Sequence, residues 1–266
     1  MKNIFFLLGV LAVLFLTSCS NNIDVIADDG STIPTTFFPI ANGNWWTYKV
    51  QTQLPNFLRD SLYVKGDTLI DGIIFKKMKT KFAPNGFYTA ILRNNGVRIK
   101  GSSLKLSGSI AISTGLPSPI VFSVADFTFF KENGIQNEVI GTSSGTFQQT
   151  IQGYPLTFAY TLNSYFDGSV ASFTTTTNKS YTDIKKTKVV LNLKITYTLP
   201  GIGLTATLLQ PQDVVVSTQY YAKNKGMVYA TTDINYILSS IPGLTLPIPS
   251  SGSQNQKEFL DTLMTN

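Results

Sequence analysis

Apolar and polar residues alternate with a period of two along most of the chain between Phe37 and Leu238. Residues 189–199 are a long example, with apolar side chains at every odd position and mostly polar ones between them. Residues 156–163 and 46–51 repeat the pattern. Successive side chains of a β-strand point to opposite faces, so this period indicates strands with one buried face and one face in water.

Short sequences rich in Asn, Asp and Gly separate these runs. Because these residues tolerate positive φ, they are typical of the tight turns that join antiparallel strands. The sequence therefore predicts an all-β fold, in which a large curved antiparallel sheet forms an open or half barrel with short hairpins. The predicted turns are Asp71-Gly72, Asn94-Asn95-Gly96, Asp167-Gly168 and Asn224-Lys225-Gly226.

The N-terminus has the pattern of a secretory signal peptide. Lys2 supplies a positive charge, residues 4–16 carry no charge, and small residues lead to Cys19. The apolar run is shorter than the roughly 20 residues that a membrane-spanning helix needs. Residues 16–19, Leu-Thr-Ser-Cys, resemble the lipobox of bacterial lipoproteins, in which the cysteine is acylated and becomes the new N-terminus.

Cys19 is the single cysteine of the 266 residues, so the chain has no internal disulfide to form. Acylation with several fatty acyl chains, such as palmitate, would anchor the protein stably to a membrane. The predicted location is therefore the cell envelope, with the outer membrane favoured and its periplasmic or surface face left open. The alternative is a buried or unpaired cysteine behind an ordinary signal peptide.

Four segments follow from these patterns. We predict a signal peptide in residues 1–18, an acylated cysteine with a flexible, acidic tether in 19–36, and an antiparallel β domain in 37–238. Residues 239–266 are predicted to be a linker rich in Pro, Gly and Ser, followed by a short helix. In that helix, Ser253 and Gln256 would form a capping box, and one apolar face would hold Phe259, Leu260, Leu263 and Met264.

The apolar segment 199–211 interrupts the alternation. It is predicted to be a loop or a broken hairpin that either covers the core as a lid or forms an exposed contact surface.

The net charge of the chain does not select one kind of partner. Removal of residues 1–18, which contain one lysine, lowers the formal net charge from +6 to +5. The lysines are scattered, so no nucleic-acid partner is expected. A basic balance favours anionic lipid headgroups or polysaccharide, but it also agrees with ordinary solubility.

The chain contains no histidine, so it lacks the usual base of serine hydrolases and a common metal ligand. Residues 141–145 match the G-x-S-x-G string of serine hydrolases, but without histidine the serine has no base. We interpret this segment as a turn. Without histidine, a second cysteine or a calcium loop, no metal or cofactor is predicted.

A glycan hydrolase with two carboxylates remains an alternative, because glycoside hydrolysis needs no histidine. The predicted mature chain has three glutamates, Glu132, Glu138 and Glu258. Nothing in the sequence selects a catalytic pair, and we expect the protein not to be an enzyme.

Two pairs of adjacent aromatic residues place one ring on each face of a strand. In Trp45-Trp46 and Tyr220-Tyr221, one ring can lie in the core while the other stacks on a ligand. Trp45 and Tyr221 are the candidate binding residues for a hydrophobic or glycan ligand. The alternative is that both faces are covered there.

Several strings resemble a family of Bacteroidetes-type lipoproteins of unknown activity. Residues 37–48 are similar to its FPL-x-x-G-N-x-W-x-Y opening, and residues 66–72, Gly-Asp-Thr-Leu-Ile-Asp-Gly, are similar to its next hairpin. Residues 181–184 and 220–228 resemble its late strands. The resemblance implies a domain distantly similar to periplasmic lipoprotein carriers, whose concave face takes acyl chains.

Three functions follow as hypotheses. The first is a non-catalytic binding or scaffold domain for a hydrophobic or glycan ligand. The second is a structural subunit of an outer-membrane assembly, and the third is the glycan hydrolase.

Overall fold

The computed structural model of the chain describes residues 36–113, 118–199, 201, 203–241 and 249–266. Cys19, the predicted signal peptide and nearly all of the predicted tether lie outside these residues. Within them, the elements in chain order are β1 Trp45–Gln51, β2 Leu58–Ile70, β3 Ile73–Lys79, α1 Phe87–Leu92, β4 Gly96–Lys100, β5 Ser103–Ile112, β6 Ile120–Lys131, β7 Glu138–Ile151, β8 Tyr154–Thr174, β9 Ser180–Thr198, β10 Thr205–Ala222, β11 Gly226–Ile237 and β12 Ser251–Met264.

The strands form a single antiparallel sheet. Its order is β6-β5-β4-β3-β2-β1-β12-β11-β10-β9-β8-β7. Apart from β6 and β7, strands that are neighbours in sequence pair with each other, and β1 pairs with β12 to join the two ends of the described domain. The sheet curls nearly closed into a barrel, with β6 and β7 as its two edges. The predicted all-β fold with a curved antiparallel sheet is confirmed.

The concave face of the sheet is filled with large side chains. The helix α1 lies inside the curve, and five of its six residues are buried. Aromatic rings from several strands and from the segment before β1 pack around it, so the interior is a hydrophobic core. The largest of these buried side chains include Phe37, Phe38, Tyr88, Phe129, Phe130 and Tyr221.

The seam between β6 and β7 is held by side chains. Ser164 on β8 donates a hydrogen bond to the carbonyl oxygen of Thr128, and the Tyr160 hydroxyl donates to the Ser123 carbonyl at 3.2 Å. Gly141 allows this close approach because it has no side chain. The segment 141–145 therefore lies inside strand β7, and its interpretation as a turn is wrong.

A side chain at Gly141 would have no room. Its Cβ would lie 2.5 Å from the Thr128 carbonyl oxygen, whereas a Cβ at Gly145 would meet the Tyr160 ring at 3.1 Å. We expect Gly141→Ala to lower the free energy of unfolding by about 2 kcal/mol, because backbone must move. Gly145→Ala, the control on the same strand, is expected to cost less than about 1 kcal/mol. Equal losses in urea denaturation would contradict a closed seam.

The predicted C-terminal helix is wrong. Residues 251–264 form β12, which pairs with both β1 and β11, so the β domain extends to Met264 rather than ending at 238. A β-bulge explains the error, since Tyr48 is opposite Leu260 and Thr47 is opposite Thr262. The extra residue shifts the alternation and puts Leu260 and Leu263 on the same face. That spacing of three residues imitates a helix.

Two other predicted segments can be compared with the structure. Asp167-Gly168 is a bulge within β8, with Gly168 at φ 94°, and not a turn. Among the described residues of 199–211, the Leu199 N–H donates to the Leu204 carbonyl at 2.8 Å, and β10 pairs irregularly with β9. Leu208 and Leu209 are buried there, and Leu204 is 63% exposed. Of the two predicted structures, the broken hairpin is the correct one.

Within the described ranges, no helix has the length and apolar character to span a membrane.

Candidate functional site

Trp45 and Trp46 lie on opposite faces of β1. Trp46 is 2% exposed and points into the core, where its Nε1 donates a hydrogen bond to the Lys225 carbonyl at 2.7 Å. Trp45 is half-buried on the outer face. The outer face at Trp45 is therefore partly covered and partly open.

The outer face around Trp45 forms a groove, which we call the Trp45 groove. Its volume is about 450 Å³, which lies within the usual range for ligand pockets. Strands β1 and β2 form its floor, and the segment after β3 and the end of β12 form its sides. The lining residues are Gly43, Trp45, Trp46, Thr47, Arg59, Ser61, Leu62, Tyr63, Lys81 and Thr262.

The strand register places the groove's side chains in facing pairs. Trp45 is opposite Tyr63, and Thr47 is opposite Ser61. Cross-strand partners share a face of the sheet, so an indole and a phenol lie next to two hydroxyl groups. Thr262 of β12 adds a third hydroxyl, and its Oγ1 lies 2.6 Å from the Oγ1 of Thr47.

Arg59 is held in place at one end of the groove. Its Nη2 lies 2.8 Å from Asp261 Oδ2 and donates a hydrogen bond to Thr47 Oγ1 at 3.2 Å. Asp261 is the bulge residue of β12, so the bulge turns this carboxylate to the outer face. Lys49 Nζ lies 3.5 Å from the same carboxylate. The arginine is thereby oriented while most of its side chain stays in solvent.

Lys81 reaches the groove from the segment that connects β3 to α1. Its backbone N–H donates to Ser61 Oγ at 3.0 Å. Four residues later, the backbone N–H of Asn85 donates to Asp60 Oδ1 at 2.9 Å. Adjacent residues of β2 thus hold the segment from both faces of the sheet. Among the described residues, no carboxylate lies within ion-pair distance of the Lys81 ammonium group.

Tyr221 does not contribute to this groove. Its side chain is fully buried in the core, with its ring centroid 4.4 Å from that of Phe130. Its hydroxyl donates to Gln219 Oε1 at 2.7 Å, and burial holds the pKa of this phenol well above its usual value. The neighbouring Tyr220 faces outward but is covered by Phe173 at 4.4 Å. Of the two candidate binding residues, the structure leaves only Trp45 accessible.

A second cluster of polar groups lies in the interior, at the start of α1. The Asp60 carboxylate accepts hydrogen bonds from the backbone of Asn85 and Gly86 at 2.8–3.0 Å. Glu258 on β12 accepts from the Tyr88 backbone N–H at 2.7 Å and from Thr89 Oγ1 at 2.9 Å. Gln256 Oε1 accepts from the Phe87 N–H at 2.9 Å. Together with the two carboxylates, it satisfies the free N–H groups that every helix start exposes.

Glu258 is fully buried, and its surroundings change its acidity. Burial raises the pKa of this carboxyl to about 7, the hydrogen bonds from Tyr88 and Thr89 oppose the rise, and the nearby Asp60 carboxylate adds to it. Two convergent carboxylates, one with a raised pKa, are what the hydrolase hypothesis requires. However, the adjacent cavity of about 50 Å³ is too small for a sugar ring, and both carboxylates already bind backbone N–H groups.

Most residues of the Trp45 groove were not predicted. Arg59, Ser61 and Tyr63 alternate with buried residues on β2, and this alternation places them on one face of that strand. Without the strand register, however, the sequence does not show that they face Trp45. Within the described ranges, no group of three or more His, Cys, Asp or Glu side chains is placed to hold a metal ion.

Comparison with known proteins gives a distant structural similarity. No family model matches the chain, and no curated protein matches it. A crystal structure from Parabacteroides distasonis ATCC 8503, described as that of a lipoprotein, is similar with a TM-score of 0.40 and 13% identity. The similarity covers 88% of this chain and 100% of that chain. An overlap of this quality assigns neither a family nor an activity.

Proposed function

We propose that this chain is a lipid-anchored envelope protein that binds a glycan at the Trp45 groove without catalysis. The observation that carries the proposal is the half-buried pair Trp45–Tyr63 on the outer face, set in a groove of about 450 Å³ that hydroxyl-bearing and cationic residues also line. The face of an aromatic ring carries partial negative charge and attracts the polarised C–H groups of a sugar ring. The hydroxyl and cationic groups supply hydrogen bonds to sugar oxygens.

The structure supports a glycan over an acyl chain. The resemblance to lipoprotein carriers implies a lipid on the concave face, but that face is packed with α1 and aromatic side chains. An acyl chain would have to displace a core at native density, which is costly. The Trp45 groove is open and bordered by Thr47, Ser61 and Thr262, so it suits a polar ligand.

The arrangement also supports binding rather than hydrolysis. None of the residues lining the Trp45 groove is acidic, whereas hydrolysis of a glycosidic bond usually needs two carboxyl groups beside it. The convergent pair Asp60 and Glu258 lies on the opposite face and caps α1. The groove can therefore hold a glycan but has no acid to protonate its leaving group.

The lipid anchor is supported by the sequence. Cys19, with the lipobox-like residues before it, would fix the chain to a membrane, and the outer membrane is the location we propose. Residues 20–36 would separate the domain from the lipid surface. A binding domain on such a tether could engage a polymer that does not itself touch the membrane.

Removal of the indole at position 45 tests the binding site. With the full-length protein in detergent on a polysaccharide array, we expect Trp45→Ala to weaken the strongest glycan interactions at least about tenfold, a loss of about 1.4 kcal/mol. Stability should change little, because the side chain is only half-buried on the outer face.

Phe57→Ala is the matched control. Phe57 is another aromatic residue of the outer face and is 50% exposed, but it does not line the groove. This variant is expected to bind glycans like the wild type. If the wild type binds no glycan, or if both variants bind as it does, the proposed function is wrong.

A further inference from the structure

We infer that the glycan held by the Trp45 groove carries anionic groups, either carboxylates or sulfate esters. This inference rests on the proposed function and names the class of its ligand. The inference is based on the charges of the residues that line the groove. Its lining contains two cations, Arg59 and Lys81, and no acidic residue.

The guanidinium group of Arg59 is both oriented and exposed, which suits it to bind an anion. Its side chain is 60% exposed although its Nη2 is fixed by Asp261 and Thr47. A guanidinium group has five N–H donors in a planar fork that matches the two oxygens of a carboxylate or sulfate. The contacts with Asp261 and Thr47 both use Nη2 and so orient the guanidinium group of a residue that lines the groove. Orientation before binding reduces the entropy lost when a ligand binds.

Lys81 supplies a second positive charge. Its backbone is held by Ser61, and no carboxylate of the described residues neutralises its ammonium group. Asp261 is shared between Arg59 and Lys49, so its one negative charge does not balance the cations around it. The potential in the groove is therefore positive, and an acidic ligand would complement it.

The aromatic and cationic groups of the groove are placed so that one ligand could contact both. Trp45 and Tyr63 provide a stacking surface at one end of the groove, and the same strands carry Thr47, Ser61 and Arg59 further along. A sugar ring on the indole would therefore place a substituent near the cations. A neutral glycan would leave Arg59 with only the Asp261 carboxylate, which it shares with Lys49, and would place no anion near Lys81. A uronic acid or a sulfated sugar would pair with both cations.

Paired probes test the inference. We would measure binding of the full-length protein to a polysaccharide array in which each uronic acid or sulfated polymer has a carboxyl-reduced or desulfated counterpart. We expect acidic polymers to bind at least about tenfold more tightly than their neutral counterparts. Binding should weaken with added salt, because salt screens exposed charges. Preference for carboxylated or sulfated polymers identifies which anion is used.

Charge variants show whether these two residues are responsible. Arg59→Gln and Lys81→Gln are each expected to weaken binding of the acidic polymer about fivefold to tenfold. Lys194→Gln is the control, because it removes the same charge from an exposed position on β9 outside the groove. Urea denaturation should show that all three variants remain folded.

The outcomes separate the two proposals. Equal binding of acidic and neutral polymers would overturn the inference of an anionic ligand and leave glycan binding intact. Equal weakening by Lys194→Gln would also overturn it, because net charge alone would then explain the binding. If the array shows no binding to any polymer, both proposals are wrong.

Discussion

Glu258→Ala is expected to lower the free energy of unfolding by about 3–5 kcal/mol near pH 4.5. The Glu258 side chain accepts hydrogen bonds from the Tyr88 backbone N–H and from Thr89 Oγ1, and all of these groups are buried. Alanine would leave both donors without a partner and would open a cavity between β12 and α1. Few other single substitutions would affect the position of the helix as directly.

The same residue makes stability depend on pH in a defined direction. Its pKa in the folded protein is about 7, compared with 4.5 for an unperturbed glutamate. The folded state therefore favours the protonated form. The resulting stabilisation is complete below the unfolded value, near pH 4.5, and is lost as the pH rises through about 7. At about 1.4 kcal/mol for each unit of pKa, the loss amounts to roughly 3 kcal/mol by pH 8.

Glu258→Gln separates this titration from the other carboxylates. The amide keeps one acceptor oxygen and the shape of the side chain, but it cannot ionise. Urea denaturation at several pH values should show the wild type losing about 3 kcal/mol relative to Glu258→Gln between pH 4.5 and 8. The buried phenols of Tyr48, Tyr88 and Tyr221 do not contribute, because burial raises their pKa values further above 10. Parallel stability curves for the two proteins would refute the assignment.

The strand content could be predicted because it is local. Each run of alternating residues, such as 189–199, records the two faces of its own strand, and turns such as Asp71-Gly72 record the positive φ that they require. The all-β fold with a curved antiparallel sheet follows from these signals. They do not contain the register between distant strands, so the pairing of β1 with β12 could not be predicted.

The errors arose where contacts distant in sequence decide the local structure. α1 has six residues, too few to show a helical period, and its first turn is held by Gln256 and Glu258 from β12. The C-terminal strand was mistaken for a helix because the bulge at Asp261 breaks its alternation. In both places, tertiary contacts override the local pattern.

The candidate site was predicted in part for the same reason. Adjacent tryptophans in a strand must face opposite sides, so the sequence indicates that one of Trp45 and Trp46 lies outside, but only the structure shows that it is Trp45. Tyr221 was selected by the same rule, and there the inward ring was chosen. Arg59 and Lys81 needed the folded chain, because the ion pair with Asp261 and the hydrogen bond to Ser61 bring them to the groove.

Trp46→Ala should lower stability strongly, whereas Trp45→Ala should mainly weaken glycan binding. The comparison tests the assignment of the two indoles to opposite faces of β1. Trp46 lies 6.1 Å from the Phe38 ring, between centroids, and its Nε1 binds the Lys225 carbonyl. Its removal would leave a large cavity and an unpaired carbonyl, and we expect the free energy of unfolding to fall by about 3–5 kcal/mol.

Trp46→Phe, which retains a ring but not the hydrogen bond, should lose about 1–3 kcal/mol. Trp45→Ala should lose less, about 1–2 kcal/mol, because its indole is only half-buried and lies on the outer face. Urea denaturation of the three variants measures these differences. Equal losses at positions 45 and 46 would show that both indoles support the core, and the Trp45 groove would then lose its stacking surface. A much larger loss at position 46 would leave Trp45 available to a ligand, since a half-buried indole on the outer face that adds little to stability can serve binding.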